Sequence, residues 1–153
     1  MEIVKENVQM LRVKSNATNQ ITFDEDYNVP DAKPDIGRMI QHKGTVQVDE
    51  VNLNDNQAFV KAKLVVELLY VEEQEEGRIC SLTAALPIEE TLNLEGIESG
   101  DKMCLKWDIE DLSLHVINSR KLNIKSILSF FAVVDELVEL ALPVGLRPEE
   151  ISM

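Results

Sequence analysis

The chain has 153 residues, 44% of them apolar, and carries 15 Lys and Arg against 28 Asp and Glu, a formal charge of -13. That apolar share supports one packed domain and excludes wholesale disorder, and no apolar run approaches the roughly 18 residues of a membrane-crossing helix. A surface this acidic repels phosphate, which argues against nucleic acid as a partner and against membrane insertion, and leaves a basic protein partner open.

The N-terminal stretch MEIVKENVQM is charged and lacks the apolar core of a secretory leader, so synthesis in the cytoplasm is expected. The segment EIVKENVQMLRV reads as a terminal strand, able to pair within its own domain or with a neighbouring copy. Residues 1–45 hold six basic and seven acidic residues, so nearly all of the negative charge lies further on.

Next comes NVPDAKPDIGRMIQHKGTV, residues 28–46, with two Pro-Asp units at Pro30-Asp31 and Pro34-Asp35. Val29 and Lys33 precede prolines and are pushed toward extended backbone. Ile36, Met39 and Ile40 have the i, i+3, i+4 spacing of one helix face, and Pro34 suits a first helical turn. The spacing predicts a short helix that plugs one end of the domain, ended by Lys43-Gly44. Asp31 and Asp35 are expected to accept hydrogen bonds from nearby backbone amides as turn and cap residues.

The dominant pattern beyond Val46 is period two. Ala58, Val60, Ala62, Leu64, Val66, Leu68 and Tyr70 form one apolar face, with Lys61, Lys63 and Glu67 on the other, which is a long half-buried strand. Cys80, Leu82, Ala84 and Leu86 repeat the alternation, and Pro87 marks a break or an edge strand. Met103, Leu105, Trp107 and Ile109 alternate on odd positions, then Leu112, Leu114 and Val116 on even ones. That phase slip at Glu110-Asp111 reads as a β-bulge. Turn residues at 52–56, 75–77, 96–101 and 118–120 separate the runs as hairpin connections. Leu122–Leu146 reads as a strand, with 135–142 also compatible with a helical turn or two. The fold class is therefore all-β, an antiparallel β-sandwich of about seven to nine strands with one short helix after the VPDAKPDI segment.

Few residues suggest chemistry. The sequence has no phosphate-binding glycine loop, nucleophile elbow or HExxH pair, and His42 and His115 have no supporting neighbours. Asp24, Glu25, Asp26, Asp31 and Asp35 invite a calcium reading but lack the spacing of an EF-hand loop. Cys80 and Cys104 share no ligand spacing and are expected as small buried apolar side chains. Trp107 and Tyr70 fall on core faces, which disfavours them as sugar platforms, although a ligand- or carbohydrate-binding sandwich is the alternative reading. No catalytic residue, metal or cofactor is assigned.

VPDAKPDI at 29–36 followed by Gly44 and Val46, LLYVEE at 68–73 and NSRKLNIKSIL at 118–128 together resemble the spore coat assembly domain of the SipL and SpoVID morphogenetic proteins of spore-forming Firmicutes. The resemblance covers residues from about 2 to 130. It implies a non-enzymatic structural module over residues 1–142 with a tail at 143–153, made in the mother cell and carried to the spore coat. The implied partners are copies of itself or other spore coat proteins, by protein contacts and β-edge pairing. Larger relatives add tandem copies and a peptidoglycan-binding LysM module; this chain shows one copy of the domain and no LysM motif, so peptidoglycan binding is not carried over. The motif residues expected to matter are Pro30, Asp31, Lys33, Pro34, Asp35, Ile36, Gly44, Asn118, Arg120 and Lys121.

Overall fold

The computed structural model describes residues 4–75 and 77–145. Six strands follow one another: β1 (Val4–Asn28), β2 (Ile36–Asn54), β3 (Gln57–Glu72), β4 (Ile79–Asn93), β5 (Met103–Asn118) and β6 (Lys121–Gly145). They form two three-stranded antiparallel sheets, ordered β1-β6-β5 and β2-β3-β4. The all-β expectation holds, with six strands among the described residues in place of seven to nine. Those strands run 15 to 25 residues, so fewer and longer strands accommodate the same chain.

Alternation decides which face each strand buries. All seven even positions of β3 from Ala58 to Tyr70 are buried, as are Leu82, Ala84, Leu86, Ile88 and Leu92 of β4. The other sheet contributes Leu122, Ile124, Leu128, Phe130, Ala132 and Val134 of β6 to the same core. One core shared by two sheets places them face to face, and each fully buried large side chain contributes roughly 1.5–3 kcal/mol of transfer free energy. β2 approaches β5 at one margin and β1 approaches β4 at the other. Pro87 sits in β4, an edge strand that needs no amide donor on its outer side.

The expected helix is absent, and the reason is visible in the register. β2 begins at Ile36 and carries register shifts between Ile36 and Arg38, Met39 and Gln41, and Val48 and Glu50. Each bulge adds a residue, so consecutive inward positions fall three apart. Met39, His42, Gly44, Val46, Val48, Val51 and Leu53 lie opposite the buried even positions of β3. Bulged strand and short helix therefore give the same local spacing. Gly44, expected to end a helix, lies in mid-strand. A Cβ there would stand 2.8 Å from Leu112 Cδ2 and 3.1 Å from Ile109 Cδ1, so its absence lets β2 close against β5.

The bulge anticipated at Glu110-Asp111 is present between Ile109 and Asp111. The Ser126 hydroxyl donates to the Asp111 carbonyl there at 2.8 Å. β6 runs to Gly145, so the expected domain boundary at 142 falls inside a strand, and the remaining tail lies outside the described residues. Two burial expectations fail: Cys104 is exposed and Cys80 half-buried, and Trp107 is 39% exposed because β5 is an edge strand.

The terminal strands pair with each other along their whole lengths, from Val4 opposite Gly145 to Asn28 opposite Lys121. β5 starts at Met103, opposite Val134. Among the described residues, β1 up to Val13 and β6 from Asp135 onward thus form a two-stranded ribbon beyond the rest of the sheet.

Candidate functional site

The two motif segments meet at one corner. The crossing from β1 to β2, residues 29–35, lies against the turn Ser119-Arg120 between β5 and β6. Backbone bonds seat it: Val29 N–H donates to the Arg120 carbonyl at 2.9 Å, and Ile36 N–H to the Ser119 carbonyl at 2.9 Å. Lys33 N–H closes a turn onto the Pro30 carbonyl at 2.9 Å. Prolines at 30 and 34 suit this segment because their missing amides have no ladder to join.

Arg120 organises the corner. One terminal nitrogen donates to the Lys33 carbonyl at 2.7 Å and to Asp35 Oδ1 at 3.0 Å. The other donates to the Val29 carbonyl at 3.1 Å and the Pro30 carbonyl at 2.8 Å. A planar guanidinium supplies this fork of donors, which a lysine ammonium does not. The Asn118 side chain in turn accepts from Arg120 N–H at 2.8 Å, fixing the turn that presents the arginine.

Sheet β2-β3-β4 braces the crossing from the other side. The Tyr70 hydroxyl, on a fully buried residue, donates to the Pro34 carbonyl at 2.8 Å. Burial is the leading cause that pushes this hydroxyl's pKa above 10.0. Glu73 N–H donates to the Asp35 carbonyl at 3.1 Å. Val29 and Ile36, the ends of the crossing, are buried at 5% and 2% exposure. Gly37 follows because a Cβ there would lie 2.8 Å from the Val71 carbonyl oxygen.

The structure therefore brings Pro30, Lys33, Pro34, Asp35, Ile36, Asn118 and Arg120 together. Asp31 is exposed in the turn, and Lys121 opens β6 opposite Asn28. Gly44 stands apart in mid-β2. Asp35 corrects the capping expectation, because its carboxylate accepts from Arg120. The alternation of β3 marks Tyr70 only as core, and 36 residues of sequence separate its hydroxyl from the Pro34 carbonyl that accepts from it.

Other polar groups are committed elsewhere. His42 Nε2 lies 3.3 Å from the Leu112 carbonyl, on the rim of a cavity of about 340 Å³ that Glu67 and Thr83 also line. Asn123 donates to both Asp24 and Asp26 at 2.9 Å. Among the described residues no group of three or more His, Cys, Asp and Glu side chains is arranged to hold a metal ion, and no helix is long and apolar enough to cross a membrane.

Compared with known families, residues 35–117 match the model described as SipL, SPOCS domain. The match spans more than half of the chain, covers β2 to β5, and ends one residue before the Asn118 turn. No curated protein and no solved structure matches the chain.

Proposed function

The chain belongs to the SipL SPOCS-domain family and is thereby spore-associated; from that premise we propose that it is a non-enzymatic assembly module of the bacterial spore envelope, working through protein–protein contacts. Family membership is the observation that carries the reading. The geometry supports its non-enzymatic part, because the motif side chains bind backbone. Arg120 grips three carbonyls and Asp35, and Tyr70 grips a fourth carbonyl. A catalytic arginine or tyrosine needs its donors free to face substrate.

On this reading the corner is architectural. Its exposed tip at Pro30-Asp31 is held in one conformation, and a preordered surface loses less entropy on meeting a partner. Synthesis in the mother cell followed by deposition on the spore surface completes the proposal.

A fluorescent fusion followed through sporulation tests it. The expected course is signal first in the mother cell, then a shell around the forespore, and retention on purified spores. Signal that stays diffuse and is lost from washed spores overturns the reading.

A further inference from the structure

The odd positions of β6 from Phe131 onward turn away from the core. Phe130, Ala132 and Val134 are buried at 1% exposure or less, whereas Phe131 is 38% and Leu137 60% exposed. The ladders place further residues on the same outer face of sheet β1-β6-β5. Cys104 and Lys106 of β5 lie opposite Val133 and Phe131, and Val13 and Leu11 of β1 lie opposite Asp135 and Leu137. Leu11, Val13 and Cys104 are all exposed. Large apolar side chains from adjacent strands thus share one outer face, where single exposed ones would need no explanation.

A groove of about 240 Å³ runs along the middle of this face, lined by Cys104, Lys106, Phe131, Val133 and Asp135. A second groove of about 590 Å³ shares Cys104, Val133 and Asp135 with it and extends to Leu11 and Leu137. The first has an apolar middle and one charge at each end. Lys106 stands beside Phe131, and Asp135 lies four residues further along β6, about 13 Å at the rise of an extended strand. Cys104 and Val133 face each other midway between them. Among the described residues neither Lys106 nor Asp135 joins an ion pair.

We infer that a second copy of this chain covers this face, outer sheet against outer sheet, in a two-fold contact centred on Cys104 and Val133. This deepens the assembly reading, on which it rests for its place on the spore. A two-fold axis that lies in the contact and crosses the strands at Cys104 and Val133 exchanges the two ends of the groove. Lys106 of each copy then meets the partner's Asp135, and Cys104 meets the partner's Cys104. A two-fold contact needs a surface complementary to itself, and one acid and one base set evenly about an apolar centre have that property. Charge also decides where two copies can touch. Chains of charge -13 repel, so contact is cheapest where the local charge is balanced. Lys106 and Asp135 cancel, and Asn16 and Thr18 of β1, opposite Val133 and Phe131, are uncharged. A basic partner is drawn instead to the acidic surface elsewhere on the chain.

The test is sedimentation of the full chain over a concentration series, with charge variants. Wild type is expected to pass from 17.3 kDa to twice that mass as concentration rises. Lys106→Glu sets acid against the partner's Asp135, and Asp135→Lys sets base against the partner's Lys106. Each alone is expected to dimerise at least about tenfold more weakly. The double swap Lys106→Glu/Asp135→Lys restores dimerisation, and so does an equimolar mixture of the two single variants, because both place unlike charges across the axis again. A short bis-maleimide is expected to link two wild-type chains and to fail with Cys104→Ser. Thermal melts confirm that the variants fold; Lys106→Gln and Asp135→Asn, read for weaker dimerisation, replace any reversal that does not. A wild type that stays monomeric, a single reversal that dimerises as well as wild type, a folded double swap that does not recover, or a cross-link that survives Cys104→Ser each overturns the proposal. A monomeric wild type whose fusion still coats the spore removes the two-fold contact and leaves the assembly reading intact, with another envelope protein as the partner. A dimer in solution from a protein absent from spores does the reverse.

Discussion

The two ends of the β1–β6 pair share one ladder and differ in everything that surrounds it. At the Asn28–Lys121 end, the chain leaves the ladder and is caught at once by four residues from two other segments: Ser119 and Arg120 of the β5–β6 turn, and Tyr70 and Glu73 at the end of β3. Beyond Val13 and Asp135 the ladder continues, past the start of β5. One end is over-determined and the other is held by a single set of pairings. Local stability follows the number of independent restraints, so opening events should begin at the ribbon and reach the corner last.

Arg120→Ala is the strongest way to break that contrast. It removes four donations to the crossing at once. Each bond to a charged group is worth about 1.5–3 kcal/mol, discounted here because the side chain is 36% exposed and water reaches the vacated carbonyls. A loss of about 2–4 kcal/mol is expected in urea unfolding at unchanged slope. Arg120→Lys should recover less than half, since a point ammonium cannot serve four acceptors in a fork. A loss below about 0.5 kcal/mol for Arg120→Ala would mean that the corner is no better determined than the ribbon.

Tyr70→Phe tests the same corner from the other sheet. The ring stays and only the bond to the Pro34 carbonyl goes, at a cost of about 0.5–1.5 kcal/mol. The effect depends on pH with a defined sign. Burial holds the folded Tyr70 pKa above 10.0, so the unfolded chain loses this proton first and wild-type stability declines as pH rises past that value. The phenylalanine variant lacks that decline. The gap between the two proteins should therefore narrow above pH 10, and a constant gap would remove burial as the cause.

The sequence displayed the sandwich halves well where alternation was regular. β3 and β4 bury the positions their period selects, and the bulge at Asp111 follows from a single phase slip. It misled at β2, where closely spaced bulges made Ile36, Met39 and Ile40 look helical. Bulges depend on strand pairing, which a local window does not contain. At the corner, the motif residues could be named but not their partners, because Arg120 lies 85 residues from Asp35 in sequence. The ribbon was legible as two terminal strands. Their mutual pairing was not, because it joins residues up to 141 apart along the chain and depends on where β5 begins.

Smaller effects are expected toward the ribbon. At its foot, Lys14 Nζ lies 2.8 Å from Asp101 Oδ2, a bond that holds the loop before β5 to the bulge in β1. The Lys14 bond, reinforced by Glu98 N–H, lowers the Asp101 pKa below its usual 3.8. The folded carboxylate is thus the stronger acid. Its contribution is present above that value and is lost as pH falls through the lowered pKa. Asp101→Asn should melt below wild type at neutral pH, and the difference should close as the solution is acidified through the carboxylate range. A difference that persists in strong acid would assign the effect to the Glu98 amide cap, leaving the foot of the ribbon uncharged in its bonding.

The weakest effect on the isolated protein is expected from Leu11→Thr with Leu137→Thr. The pair is mostly exposed, and threonine suits a strand, so the melting midpoint should stay within the change that about 0.5 kcal/mol produces. Hydrogen exchange makes the measurement sharper than melting. Amides of residues 5–13 and 136–142 should exchange faster than those of β3 in wild type, and the double substitution should widen that difference while leaving β3 unchanged. If the substitution speeds exchange in the core or lowers the midpoint by several degrees, the ribbon is coupled to the sandwich, and the contrast between the two ends fails. If only the ribbon responds, its leucines do little for the fold of a single copy, and their exposure must be accounted for by what they meet outside it.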